Sequence, residues 1–414
     1  MTNLTIKKYT VLSTLIGLTF FVYGLFSSST PSYITIAEVV IGFCLVIFML
    51  MQLSLYYEKS IFLSKTSRFL KWSFFYFFFV ISLFGFANGA SAIEVFRDIV
   101  PILYLFLFFF MLPTIYTYHA ECLKIIPAGL LFVGCAFSLR YFLIEGVEIS
   151  KLGSSMMFGD MSYFPLDPAV TFGAVYALVE GFRLYSCNSY IKSLLYLWAS
   201  TICVASLVGM VIRAPLILYM LVLIFLVLFH FKRISKLSLF IIFFIVLFFE
   251  KLPLLDIYNI IFEKFWVAGM NAKDEEIIMV FNEIAREPKI FFIGAGWGAY
   301  SFSPAVGGEV RFFHNFMLYF LFKSGVLGLI FSVWVIFRFY FIPGFLFLMN
   351  IYRGCSVFLK DNSLSVFFGA LVALSSSFFL QPNFKSLSFG FLLVLVFSIT
   401  RFPCAFNSRF KINF

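Results

Sequence analysis

The sequence predicts an all-α polytopic integral membrane protein, and three observations support this fold class. Hydrophobic residues make up 62% of the 414-residue chain, charged residues only 12%, and 64 residues are phenylalanine. This composition excludes an ordinary soluble domain. Apolar runs long enough to cross a bilayer, about 18 to 22 residues each, recur along the whole chain. They leave little room for a separate soluble domain, so we expect residues 1–414 to form a single membrane domain.

Hydropathy predicts about twelve membrane-spanning helices, most of them joined by short loops. The first follows Lys7 and Lys8 directly, and its apolar stretch is too long for a cleaved signal peptide, so we expect it to be retained. The predicted spans are residues 10–29, 33–56, 72–88, 99–118, 125–143, 169–187, 193–212, 214–231, 237–251, 325–350, 363–381 and 386–406.

The distribution of charge orients these spans. With the N-terminus in the cytoplasm, most loop lysines and arginines lie on the inner side, whereas most aspartates and glutamates lie on the outer side. An even number of spans then places both termini in the cytoplasm. The same asymmetry accounts for the net charge of +10 at pH 7, so we infer no nucleic-acid partner from that charge.

Two predicted outer loops, residues 144–168 and 252–324, are much longer than the others, and loops of this length are usually functional or disordered. The second contains "EEIIMVFNEIAREP", whose apolar residues recur at helical spacing, so we expect short helices at the outer interface. Pro288 and the glycines that follow should end that pattern. The seven cysteines are scattered singly, without a CxxC pair, and indicate neither a metal cluster nor an outer disulfide.

The chain has three histidines, and the topology distinguishes them. His119 and His230 fall at inner ends of spans, whereas His314 alone shares the outer face with the long loops. One interpretation is an interfacial histidine that is hydrogen-bonded to a neighbour. The nearby Arg311 and Asn315 favour the other interpretation, in which His314 takes part in chemistry. Histidine suits proton transfer because the ordinary pKa of its side chain is near 6.5.

Isolated arginines mark a candidate anion site. Arg213 lies between two spans that are joined by almost no loop, so its side chain either extends outward along the lipid or faces a water-filled cavity that holds an anion. The planar guanidinium suits phosphate because it donates two parallel hydrogen bonds. Arg286 has Glu283 and Glu287 as helical neighbours, so a solvated ion-pair face explains it equally well. Arg97 and Arg140 would extend a basic outer rim.

The glycine-rich segment "GAGWGAY", residues 294–300, does not match a nucleotide-binding loop. It does not spell GxGxxG, and no parallel-sheet pattern flanks it. A tight glycine turn that redirects the chain toward the His314 segment is the better interpretation.

The order of these features resembles the O-antigen polymerase and O-antigen ligase superfamily of bacterial envelope glycosyltransferases. The chain has "FPLDPAV" before a span, "IRAPLIL" opening another, then "REPKIFFIGAGWGAY" and "HNFMLYFLFKSGVLGLI". In that family a G-x-G segment precedes an H-N pair and a G-[LV]-x-G turn, and the matching positions here are Gly294, Gly296, His314, Asn315, Gly325 and Gly328. Arg213 resembles the arginine of an "SRG" segment, although Ile212 and Ala214 replace the serine and glycine.

The resemblance implies a substrate, namely an oligosaccharide on undecaprenyl pyrophosphate at the periplasmic face of the inner membrane. The implied roles are catalysis by His314 and Asn315, donor pyrophosphate binding by Arg213, Arg286 and Arg311, and loop shaping by Gly294, Gly296 and Gly325. Arginine can hold the leaving pyrophosphate without a metal ion, so we expect no metal and no cofactor. The implied partners are the lipid-linked oligosaccharides, membrane lipids, a chain-length regulator and a flippase.

Three functions remain open at this stage. A polymerase is favoured over a ligase, which transfers the finished glycan to lipid A core, because "KDEEIIMVFNEI" lacks the early arginine that ligases usually carry. A lipid-linked oligosaccharide flippase or other transporter ranks third. Transporters place ionisable residues inside their spans, and here only Glu38 and Glu180 clearly lie there; the chain also shows no repeat symmetry.

Overall fold

A computed structural model describes residues 3–27, 35–58, 65–145, 164–210, 212–226, 273–303, 308–311, 313, 315–352, 363–379 and 383–401, and these are almost entirely helical. The helices are α1 (Asn3–Phe26), α2 (Ile36–Glu58), α3 (Lys65–Phe75), α4 (Ile81–Ala87), α5 (Ala92–Leu105), α6 (Leu107–Phe110), α7 (Leu112–Thr117), α8 (His119–Glu145), α9 (Pro168–Ser186), α10 (Tyr190–Gly209), α11 (Arg213–Leu226), α12 (Lys273–Arg286), α13 (Pro288–Ile293), α14 (Phe316–Ile336), α15 (Ile342–Tyr352), α16 (Ser363–Phe379) and α17 (Leu387–Arg401).

Shorter elements join several of these helices. π-Helical turns connect α3 to α4 and α14 to α15, at Tyr76–Val80 and Phe337–Phe341. 3₁₀ turns precede α9 and α17, at Phe164–Leu166 and Asn383–Lys385. The strands β1 (Ser301–Ser303) and β2 (Gly308–Val310) form an antiparallel hairpin in which Ser301 pairs with Val310.

The protein is a helical membrane protein by the length and hydropathy of its helices. Four described segments are long and apolar enough to cross a bilayer, namely Arg68–Ala87, His119–Ile144, Tyr190–Gly209 and Phe316–Leu346. Five shorter apolar helices accompany them, at Thr10–Phe26, Ile36–Gln52, Arg213–Leu226, Ser363–Phe379 and Leu387–Ile399. The predicted span 237–251 lies outside the described residues, so the count of twelve stays a prediction.

Helix α9 lies at the centre of the bundle. Every residue from 168 to 182 is buried, and the helix packs against α8, α10 and α16. A helix that is buried on all sides needs small residues where its neighbours approach, and a Cβ atom at Gly134 of α8 would lie 2.4 Å from the carbonyl oxygen of Ala169. Asp167, in the "FPLDPAV" segment, caps α9 by accepting the Ala169 N–H at 2.8 Å.

The predicted span 99–118 is not one continuous helix. It is divided into the end of α5 and the short helices α6 and α7, with interruptions at Phe106 and Met111. Pro113, near the start of α7, has no N–H to donate to the carbonyl four residues earlier, which explains the second interruption. Hydropathy did not reveal these breaks because it averages apolar character over a window and is insensitive to hydrogen bonding.

The helix that contains the predicted span 325–350 starts earlier, within the predicted loop 252–324. Helix α14 begins at Phe316, and its residues from Leu318 to Gly325 are buried. Asn315 starts the helix, since its side-chain oxygen accepts the N–H groups of Met317 at 2.8 Å and Leu318 at 3.3 Å. The helix is interrupted at Gly325, where φ is 66° and ψ is −159°, and this interruption marks the predicted start of the span.

The amphipathic segment of the loop is helical, as its periodicity predicts. It forms α12, and Pro288 separates this helix from α13 by occupying the first turn of the second helix. Glycines at 294, 296 and 298 then carry the chain away from α13.

Candidate functional site

One face of α5 organises the candidate site. Glu94, Arg97 and Asp98 lie three and four residues apart, so their side chains share that face. Ser91 fixes the start of the helix through a capping box: its hydroxyl accepts the Glu94 N–H, and the Glu94 carboxylate accepts the Ser91 N–H at 2.9 Å. The face meets the glycine-rich segment 294–300, the first turns of α14 and the 3₁₀ turn Asn383–Lys385.

A fully buried ion pair joins α5 to α14. Lys323 Nζ lies 2.7 Å from Asp98 Oδ2, and both side chains are 0% exposed. The same carboxylate oxygen accepts the N–H of Gly298 at 2.7 Å, and Lys323 also donates to the Ala299 carbonyl at 2.5 Å. The pair therefore holds the glycine-rich segment as well as the two helices.

The interrupted start of α14 supplies acceptors for the glycine-rich segment. The carbonyls of Phe322 and Lys323 accept the N–H groups of Ala295 at 2.8 Å and Gly296 at 3.0 Å. An uninterrupted helix would use these carbonyls internally, so the break at Gly325 makes the contact possible.

Trp297 anchors the segment on its other side. The indole is 0% exposed, and its Nε1–H donates to the Phe77 carbonyl at 2.6 Å. Phe77 lies in the π-helical turn that joins α3 to α4, where the regular i to i+4 ladder is disrupted and a carbonyl can accept an outside donor.

Gly296→Ala should destabilise the protein strongly. Gly296 has φ of 88°, and a Cβ atom there would lie 2.4 Å from the backbone nitrogen of Gly85. An L-residue in this conformation costs about 1 to 3 kcal/mol before any clash is counted. The matched control is Gly308→Ala, because a Cβ atom at Gly308 would meet nothing within 4 Å. Thermal unfolding of both variants in detergent tests the prediction, and equal stability would contradict it.

Arg311 is bound to α5 through Glu94 and Tyr300. Its Nε–H donates to the Tyr300 hydroxyl at 2.8 Å, and its Nη2 lies 3.4 Å from Glu94 Oε1. Hydrogen bonds from the Ser91 backbone and hydroxyl and from Tyr300, together with the charge of Arg311, lower the pKa of Glu94 to about 2. Arg311 Nη1 is buried and has no hydrogen-bond partner within the described part of the chain. One side of the guanidinium therefore retains donor capacity.

Arg286 and Arg213 lie in different surroundings. Arg286 is exposed at the end of α12, and its charge acts on Glu283, which accepts the Ser301 hydroxyl at 2.9 Å. Burial raises the pKa of Glu283 despite these two favourable contacts. Arg213 is half-buried at the first position of α11. The common role of Arg213, Arg286 and Arg311 in binding the donor pyrophosphate stays a prediction.

Of the predicted catalytic pair, His314 and Asn315, the structure describes Asn315. Asn315 caps α14 through its side-chain oxygen, so its amide group can still donate. Its neighbour Phe313 is 0% exposed and packs against Phe322 with ring centroids 5.2 Å apart. His314 lies outside the described residues, and its catalytic role stays a prediction.

Sequence reasoning missed the central residues of this site. Asp98 lies at the edge of the predicted span 99–118, and Lys323 lies at the edge of the predicted span 325–350, so both were counted with the loops. An aspartate and a lysine within the apolar runs "FRDIVPILYLF" and "LYFLFKSG" are the signal that could have indicated a buried pair.

Comparison with known proteins adds no relative. No protein-family model, no curated protein and no solved structure matches this chain.

Proposed function

We propose that the protein is a polymerase that joins undecaprenyl-pyrophosphate-linked oligosaccharide repeat units at the periplasmic face of a bacterial inner membrane. The surface polysaccharide would be an O-antigen or a related polymer. The proposal includes a topology of twelve membrane-spanning helices with both termini in the cytoplasm. The observation that supports it best is the pairing of the two family-like segments. The N–H groups of Ala295 and Gly296 in the G-x-G segment donate to carbonyls of α14, and the cap of α14 is the Asn315 of the H-N pair.

In the proposed reaction, His314 and Arg311 have separate tasks. An acceptor hydroxyl attacks the anomeric carbon of the donor sugar, a new glycosidic bond forms, and the bond to the pyrophosphate oxygen breaks with its electron pair. His314 accepts the hydroxyl proton as general base. Arg311 Nη1, a donor without a partner within the described residues, would stabilise the negative charge on the departing pyrophosphate.

An alternative is the O-antigen ligase, which transfers the glycan to lipid A core. The basic residues of α12 are Lys273 at its start and Arg286 at its end. The early arginine typical of ligases is therefore missing from this helix, which favours the polymerase.

A deletion strain tests the proposed function. Loss of a polymerase should leave single repeat units on lipid A core, because flipping and ligation remain intact, while the ladder of longer chains disappears. Loss of a ligase would leave the core bare and accumulate lipid-linked polymer. Loss of a flippase would retain single units on the cytoplasmic leaflet. Gel analysis of lipopolysaccharide together with extraction of lipid-linked intermediates distinguishes the three results, and restoration by the intact chain is the control.

Cysteine labelling tests the proposed orientation. In a cysteine-free background, Gly308→Cys should react with a membrane-impermeant maleimide in cells with a permeabilised outer membrane, because the hairpin belongs to the outer loop. A second variant that keeps Cys187 as its one cysteine should react only after the inner membrane is broken, because Cys187 is exposed at the end of α9 on the predicted inner side. The opposite pattern would overturn the orientation.

A further inference from the structure

Helices α12 and α13 expose five large apolar side chains. We call them together the α12–α13 surface, and they are Ile277, Ile278, Phe281, Phe291 and Phe292. Ile278 is 60% exposed and Phe292 is 62% exposed. Phe291 and Phe292 form an edge-to-face pair with ring centroids 5.2 Å apart. Single exposed apolar residues are ordinary, whereas several on two neighbouring helices indicate a contact with an apolar partner.

The apolar side chains of α12 extend around to the side of the helix that faces away from the protein. Val280 is fully buried, and α12 packs against α14 and β1. Ile278 lies two positions earlier, about 200° around the helix axis, and Phe281 is on the same side as Ile278. A helix whose outer side meets water carries polar residues there, so these two side chains indicate an apolar environment.

The exposed side chains of α14 locate that environment. None of residues 316–326 is exposed, and exposed apolar positions then recur every three or four residues along the segment that follows. They are Leu327, Ile330, Val333, Phe337, Phe341 and Phe345. This stripe is about 27 Å long at about 1.5 Å per residue, close to the hydrocarbon thickness of about 30 Å. The hydrocarbon core of the bilayer therefore begins near Leu327.

The end of α13 reaches α14 at this level. Because Gly325 has no side chain, the backbone of Phe292 approaches it closely, and a Cβ atom at Gly325 would lie 2.6 Å from the Phe292 carbonyl carbon. Gly325 is about 3 Å from Leu327 along the helix axis. The exposed side chain of Phe292 is therefore at the boundary of the hydrocarbon core.

Helix α4 indicates the same level independently. The Asn88 amide group, at the end of α4, donates to the Ala295 carbonyl at 2.9 Å, and a Cβ atom at Gly85 would collide with the Trp297 carbonyl. Leu83 and Phe86 of this apolar span are exposed, so they face lipid. The chain that follows α13 thus contacts the last turn of a lipid-facing helix.

We propose that the α12–α13 surface is immersed in the acyl chains of the bilayer leaflet at this end of the bundle. Its depth coincides with the ends of the lipid-facing sides of α4 and α14, which favours lipid over a second copy of the chain or another protein as the partner. Helices at the interface typically bury an apolar face by about 5 to 10 Å. Immersion would also fix the depth of the glycine-rich segment, which follows α13 directly.

Fluorescence quenching in nanodiscs tests this contact. Phe281→Cys and Phe292→Cys, each in a cysteine-free background, carry a bimane label, and the bilayer contains phosphatidylcholine with a nitroxide near the headgroup end of one acyl chain. Leu327→Cys is the lipid-facing control. Gly308→Cys is the water-facing control, because a Cβ atom at Gly308 would meet nothing within 4 Å. Quenching at the two test positions should match that of Leu327→Cys and exceed that of Gly308→Cys at least about threefold.

Iodide in the buffer supplies the reciprocal measurement. It should quench Gly308→Cys strongly and the two test positions weakly. Strong iodide quenching at the test positions, with weak nitroxide quenching, would place the surface in water and overturn the proposal. Protection from both quenchers would show that a second copy or another protein covers the surface, and this result would overturn the proposal as well.

Photolabelling of the wild-type protein gives a test that needs no substitution. An apolar diazirine dissolved in the bilayer yields a carbene that reacts with side chains in contact with lipid. Trypsin cleaves after Lys289 and Arg311, so residues 290–311 are recovered as one peptide. The label should lie on Phe291 and Phe292, whereas Phe302, which is 51% exposed in β1, is the internal control. Equal labelling of Phe302 and Phe292, or no label on the peptide, would contradict the proposal. None of these results depends on the deletion phenotype, so the proposed function can fail while this contact stands.

Discussion

Lys323→Met should leave little folded protein. The substitution removes the ion-pair partner of a buried carboxylate and leaves Asp98 with the Gly298 N–H as its remaining donor among the described residues. Breaking a buried pair in this way typically costs about 3 to 5 kcal/mol. Folded domains are stable by only about 5 to 15 kcal/mol, so the loss is a large fraction of the total. Protein level in membranes and thermal unfolding in detergent measure it.

A double variant distinguishes the effect of losing the ion pair from the effect of burying one unpaired charged group. Asp98→Leu combined with Lys323→Met removes both charges together, so it should recover much of the stability lost in Lys323→Met. It should not restore the position of the glycine-rich segment, since the Gly298 N–H and the Ala299 carbonyl lose their partners. Stability of Lys323→Met close to that of the wild type would show that the pair carries little of the folding energy.

Local patterns of the sequence were enough to predict part of this structure. Helix α12 follows from the helical spacing of its apolar residues, and its end before Pro288 follows from the missing proline N–H. Both signals lie within a few residues of the feature that they predict. The apolar runs likewise predict a helical membrane protein, because bilayer thickness sets a minimum length for each span.

The central pair of the site could not be predicted in the same way. Asp98 and Lys323 lie 225 positions apart in the chain, and no periodicity connects them. Each lies at the edge of an apolar run, where hydropathy cannot distinguish an exposed loop residue from a buried helical one. The distance between Arg213 and the other arginines also depends on tertiary packing alone. Order along the chain therefore predicts a common role for these arginines without fixing the distances between them.

The same packing holds the described residues on both sides of His314, the predicted catalytic histidine. Phe313 and Asn315, its neighbours in the chain, are respectively a fully buried ring and the cap of α14. Arg311 is bound to Glu94 and Tyr300, and α14 is fixed to α5 by Lys323. These contacts restrict the backbone on both sides of residue 314. A general base needs that restriction, because proton transfer requires hydrogen-bond distance to the acceptor hydroxyl.

His314→Ala should abolish the ladder of long chains while the protein remains in the membrane. Removing a positioned general base typically lowers the rate by about 10² to 10⁴, which leaves too few additions to extend a polymer. The variant should therefore reproduce the deletion phenotype, with single repeat units still ligated to lipid A core. Release of undecaprenyl pyrophosphate from lipid-linked repeat units in isolated membranes measures the rate directly and should fall by the same factor.

The matched control for this variant is His119→Gln. His119 Nε2 lies 3.1 Å from the Ser398 carbonyl, at the end of the bundle away from the α5 face, and glutamine retains a donor there. We expect a normal ladder from this variant, because the contact joins helices without touching the proposed substrate path. A full ladder from His314→Ala at native expression would return His314 to an interfacial role. Proton acceptance would then have to be assigned to another group near the start of α14, where Asn315 can orient a hydroxyl but is too weak a base to deprotonate it.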